Sequence, residues 1–257
     1  MKQEIEITVP TNWSAVTLRQ YLKLKRDLDV YKDNDEAIIA ALFHHLCGMD
    51  AAYISRLDIQ TYTAIQKDLT DFFNNTNLPL QKIITIGGKK YGFEPNLSNM
   101  AYGAYVDLGK YETLQIDDKW AEVMSILYRP VTKQIGESYQ IKAYDAVLDG
   151  EPFLDIPMHV HFGALSFFFS FANGLSERYP EVFGDSAGGG DTSPHQINFS
   201  RKWKAYSSIH QLANGDITKY EEILREPLEK CLLFLAYQSD VNFLQTLLHR
   251  EAMAKNK

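Results

Sequence analysis

Two cysteines, Cys47 and Cys231, are too few and too far apart to form a disulfide framework or a metal knuckle. Such sparse thiol usage fits a reducing cytoplasm. Signatures of nucleophilic chemistry are missing: there is no G-x-S-x-G elbow, and neither cysteine sits in a catalytic context. Basic residues are outnumbered, 26 Lys and Arg against 33 Asp and Glu, for a formal charge of -7. Nucleic-acid binding needs a basic face, so this balance argues against it. The densest basic cluster, Lys23, Lys25 and Arg26, is followed at once by Asp27 and Asp29 and reads as a solvated helix face. The first ten residues, MKQEIEITVP, lack the apolar core of a signal peptide, so the expectation is a protein that stays in the cytosol of the cell that makes it.

Charge is absent altogether from one long stretch, Ile156 to Ser176, IPMHVHFGALSFFFSFANGLS. Asp155 is placed to cap a helix here, with Pro157 in its first turn. Apolar residues fall nearly all round that helix, so it is expected to be buried on several sides. A membrane span is the competing reading. Pro157, His159, His161, Ser166, Ser170 and Asn173 interrupt it, and the dense run from Phe162 to Ala172 is well short of the roughly 18 residues a span needs. His159 and His161 invite a metal, but positions i and i+2 of a helix point about 200° apart, so both read as core histidines. Adjacent His44 and His45 diverge likewise. The expectation is no metal and no cofactor.

The remaining pattern predicts an α+β chain, predominantly helical, with a small antiparallel hairpin sheet and a helical C-terminal segment. Glu4 to Val9 alternates as a strand, and helices follow to about Phe73. Ile83–Ile86 and Lys89–Phe93 flank Gly87-Gly88, a hairpin signal that suits a primed turn. Helices are expected from Ser98 or Asn99 to about Leu108, and from Asp117 or Asp118 until Pro130 breaks the second; Tyr139 to Tyr144 reads as a further strand. Gly184 to Asp191, GDSAGGGD, marks a linker. The predicted organisation is therefore a helix-rich domain over 1–183, a Gly-rich linker over 184–198 and a helical segment over 199–257.

Aromatic residues are what the chain does have. Tyr91, Phe93, Tyr102, Tyr105 and Tyr111 gather around the hairpin and the helix after it; Trp203, Tyr206 and Tyr220 do so near the C-terminus. Such amphipathic rings serve equally as core or as interface anchors. Tyr91, Phe93, Tyr102, Tyr105, Trp203 and Tyr206 are the candidate partner-binding residues.

Four blocks in order carry a resemblance: IGGKKYGFEPNLSNMAYGAYVDLGKY (86–111), ILYRPV (126–131), IPMHVHFGALSFFF (156–169) and the block from Phe199 to Asp240. Together they resemble the tail assembly chaperones of tailed bacteriophages, over roughly residues 82–240. Lys204 departs from the glycine common at that position. The resemblance implies a non-enzymatic protein of the host cytoplasm, forming homo-oligomers and coating the helical tape-measure protein until the tail tube polymerises around it. It also implies that the Gly-rich run is a hinge between an oligomerising part and a recruiting part. A virion structural protein, such as a tail or neck ring subunit, is the alternative, and an enzyme of another type the third.

Overall fold

The computed structural model describes residues 7–74, 78–112, 119–184 and 194–255. The protein is α+β and predominantly helical, as the sequence predicts. It divides into two compact units, each assembled from separated segments. The first takes Met1–Phe93, Gln115–Ile141 and Leu148–Phe167; the second takes Glu94–Leu114, Lys142–Val147 and Phe168–Lys257. The division expected at 184–198 is thus not where the units part. Residues 185–193 of that stretch lie outside the described residues, and 194–198 already belong to a helix.

The first unit opens with α1 (Leu18–Val30), α2 (Asp35–Cys47), α3 (Ala51–Ile54) and α4 (Ile59–Asn74). Thr17 and Gln20 form a reciprocal capping box on α1. Asn34 caps α2 through the Ala37 N–H, and Gly48 ends it at φ 67°, a left-handed position that glycine adopts without strain. The expected N-terminal strand is not formed over Ile7 to Val9, and Glu4 to Glu6 lie outside the described residues. Ile7 and Val9 instead pack on the Phe43, Met49, Ile65 and Leu69 cluster. Between α2 and α4 lies a groove of about 430 Å³, lined in part by Ile39, Phe43 and Phe73.

The sheet has four antiparallel strands in the order β1 (Ile83–Ile86), β2 (Lys89–Phe93), β3 (Tyr128–Ile135) and β4 (Ser138–Ile141). Gly87 and Gly88 both have positive φ, 54° and 78°, as a type I′ turn requires. β3 follows directly on α6 (Trp120–Leu127), so Pro130 is a strand residue rather than the end of a helix. It is tolerated where β3 passes from pairing with β2 to pairing with β4, which begins at Val131. The strand expected over Tyr139 to Tyr144 ends early, at Ile141. Asp117 and Asp118 lie outside the described residues.

The charge-free stretch forms all but the last two residues of α7 (Met158–Arg178), and the boundary between units falls within that helix. Asp155 does not cap it. Its carboxylate is held instead by Arg19, 2.8 Å away, and the same guanidinium reaches Glu151 at 2.8 Å. That pairing accompanies a β-like contact in which the Leu18 and Met158 N–H groups donate to the Ile156 and Val16 carbonyls. Of the apolar residues expected to bury this helix on several sides, Met158, Ala164, Phe168 and Leu175 are buried, whereas Phe167 and Phe169 are exposed. Among the described residues no helix is long and apolar enough to cross a membrane.

Gly163 shows how closely α7 is approached within the first unit. A Cβ there would lie 2.7 Å from the Pro79 carbonyl oxygen and 3.0 Å from that of Leu78. Replacing a helical glycine by alanine ordinarily gains up to about 1 kcal/mol. Here the methyl meets backbone that cannot rotate away, and overpacking of that kind costs about 1–3 kcal/mol. Gly163→Ala is therefore expected to lower the Tm by several degrees. Gly174→Ala, in the same helix with nothing within 4 Å of its Cβ, should leave the Tm unchanged or raise it. Thermal unfolding of the two variants side by side checks this.

In the second unit α5 (Tyr102–Glu112) packs on α10 (Tyr220–Arg225) and α11 (Leu228–Lys255), with α8 (Pro180–Phe183) and α9 (Pro194–Leu212) beside α11. The Tyr102 N–H donates to the Glu226 carbonyl and the Leu228 N–H to that of Met100. Gly103 lets Leu224 come close: a Cβ there would lie 3.1 Å from its carbonyl oxygen.

Candidate partner-binding surface

The six candidate aromatics do not form one surface. Phe93, 1% exposed, is core: its ring packs edge-on against Tyr128 at 5.4 Å and Phe167 at 5.7 Å. Tyr102, 4% exposed, is also core, because the first turn of α5 aims it at α9, where its hydroxyl donates to the Ser208 hydroxyl at 2.8 Å. Burial pushes that phenol up to about 12. Tyr91 is half-buried against Phe153, and Tyr105 half-buried beside Phe183. The side chain of Tyr111 lies outside the described residues.

Trp203 and Tyr206 are different. They are 38% and 46% exposed, with ring centroids 5.5 Å apart. Phe199, also exposed, precedes Trp203 by four residues, and His210 follows Tyr206 by four, so the stripe runs along one face of α9. His210 stacks on Tyr206 at an interplanar angle of 15° and bonds to the Tyr220 hydroxyl through Nδ1 at 2.9 Å. Tyr220 donates in turn to the Tyr206 hydroxyl at 3.3 Å, which shifts the Tyr220 phenol upward and keeps it neutral. Lys202 lies 4.9 Å from the Trp203 ring centre. The hydrogen bonds and the His210 stack hold Tyr206 in place, and Tyr206 and Trp203 each keep more than a third of their surface exposed, an arrangement suited to receiving an apolar surface.

A second apolar feature of this unit went unrecognised in the sequence. Leu212, Ile223, Cys231, Leu233, Phe234 and Tyr237 line a groove of about 610 Å³, with the Glu226–Lys230 ion pair at its edge. Its signal was apolar spacing of three and four along α11, which reads equally as a buried face.

Chemistry is poorly supplied. Burial pushes the Cys47 and Cys231 thiols up to about 11, away from nucleophilic reactivity. Among the described residues no group of three or more His, Cys, Asp or Glu could hold a metal. His45 instead bonds to Asp27 at 2.7 Å, and His161 is fully buried.

Comparison with protein-family models, curated proteins and solved structures returns no match.

Proposed function

We propose that this protein is a non-enzymatic tail assembly chaperone of a tailed bacteriophage, holding the tape-measure protein in the host cytoplasm until the tail tube forms. The observation that carries the reading is the exposed aromatic stripe Phe199, Trp203 and Tyr206 on α9. Trp and Tyr are the residues that dominate binding energy at interfaces, and an apolar stripe along a helix complements the apolar face of another helix. A long helical partner, insoluble until sheathed, fits such a surface better than a compact one. The family resemblance over residues 82–240 supplies the partner's identity.

The test is co-expression with the tape-measure protein of the same tail gene cluster. The expected result is a soluble complex, weakened at least tenfold by Trp203→Ala combined with Tyr206→Ala, about 1.4 kcal/mol or more. Both rings are more than a third exposed, so the double variant should stay folded, with cooperative unfolding and at most a modest drop in Tm. Quantitative mass spectrometry should find the protein abundant in infected-cell lysate and missing from purified virions. A fixed copy number in virions, with no tape-measure complex, would make it a structural subunit instead.

A further inference from the structure

α11 is apolar on two opposite faces. Leu228, Cys231, Leu232 and Leu235 are buried in the second unit. Phe234, Tyr237, Val241, Leu244 and Leu248 recur at spacings of three and four on the other side, and Leu233 flanks them. From Tyr237 to Lys255 none of the described side chains is buried. The stripe begins in the groove, where Leu233, Phe234 and Tyr237 form part of the lining, and continues along this bare half of the helix. Its exposed side chains offer on the order of 600–700 Å² of apolar surface, close to the roughly 800 Å² per partner of a standard interface.

We propose that a second copy of this chain covers the stripe, with the two α11 helices packed antiparallel. Placing the two-fold axis between Val241 and Leu244 sets Val241 against Leu244 of the second copy and Tyr237 against its Leu248, and each contact occurs twice. Gln238 then meets Gln245 of the second copy, amide to amide, along the seam. Charge selects the direction. In a parallel pair Glu251, which continues the stripe, faces the same residue of the other chain, and like charges at a seam are destabilising. In the antiparallel pair the two Glu251 side chains lie at opposite ends, apart from one another, each reaching the edge of the other copy's groove beside the Glu226–Lys230 ion pair. The groove is thereby filled by the end of the second helix. This pairing stands independently of what α9 binds.

Light scattering on the full chain after size exclusion, at roughly 50 µM so that even a micromolar dimer is mostly assembled, should give twice the 29.4 kDa chain mass. Leu244→Glu should give a monomer with unchanged far-UV circular dichroism that still unfolds cooperatively, its Tm lowered only by the lost assembly, because Leu244 is exposed within the protomer. Thr246→Glu, on the opposite face, should remain dimeric. Under oxidation Val241→Cys combined with Leu244→Cys should cross-link well beyond the wild type, and neither single substitution should. A monomeric wild type, as a face reserved for a foreign helix would give, overturns the proposal. So does a Leu244→Glu dimer, or efficient cross-linking by Leu244→Cys alone, which would mean a parallel pair.

Discussion

Phe168→Asp is expected to abolish cooperative unfolding of the second unit. Phe168 is 3% exposed, in the part of α7 that belongs to this unit. Deleting a buried phenylalanine costs about 3–5 kcal/mol. The new carboxyl adds a further penalty of several kcal/mol, as a buried unpaired charge or as a neutral acid shifted far from its ordinary pKa. Stabilities of about 5–15 kcal/mol do not absorb both. Ser170→Asp, two residues along and exposed, should leave the melting curve in place. If Phe168→Asp melted like the parent, α7 would not be core at this position.

Acidification should destabilise the first unit well above the range where carboxylates protonate. His161 is fully buried, and neither ring nitrogen has a partner in hydrogen-bond geometry, although the Phe153 and Ile156 carbonyls lie near enough to favour its proton. Burial dominates and holds its pKa down at about 4. Above the ordinary histidine value of about 6.5, folded and unfolded chains are both neutral here, and pH has no leverage through this group. As pH falls below that value the unfolded chain takes up a proton that the folded one refuses. The loss grows to about 3 kcal/mol near pH 4 and then levels off as the folded state protonates too. His159 is shifted in the same direction by the same cause. Asp58 and Asp155 are held below their ordinary values by their hydrogen-bond partners and respond only at lower pH. Urea titrations at pH 7 and near pH 4.5 should therefore show a steep drop in stability, and His161→Leu should flatten most of it. An equal drop in the variant would assign the acid sensitivity elsewhere.

The features legible in the sequence were those set by local chemistry. Gly87-Gly88 gave the hairpin because a primed turn needs positive φ at both positions. β3 was hidden because Pro130 reads as a breaker until its neighbours in the sheet are known. Asp155 had the right position for a cap but a stronger partner, Arg19, 136 residues away in the chain. The aromatic candidates divided for a similar reason. Nothing local distinguishes Phe93, closed in by Tyr128, from Trp203, which stays more than a third exposed. The period of α11 was readable, but two opposite apolar faces were not, because which of them is covered depends on α5, α8 and α9.

The interleaving of segments between the two units sets a timetable for the nascent chain. β2 leaves the ribosome before residues 94–114, which belong to the other unit, and waits for β3 to follow them. α5 waits longer, because Tyr102 and Met100 find their backbone partners only at Glu226 and Leu228. At roughly 5–20 residues per second that interval is roughly 6–25 s. The first unit, whose last segment ends at Phe167, can close meanwhile; the second cannot. A ribosome that pauses between residues 168 and 226 therefore holds a chain that is half finished in space, with the apolar side of α5 open to whatever binds it first.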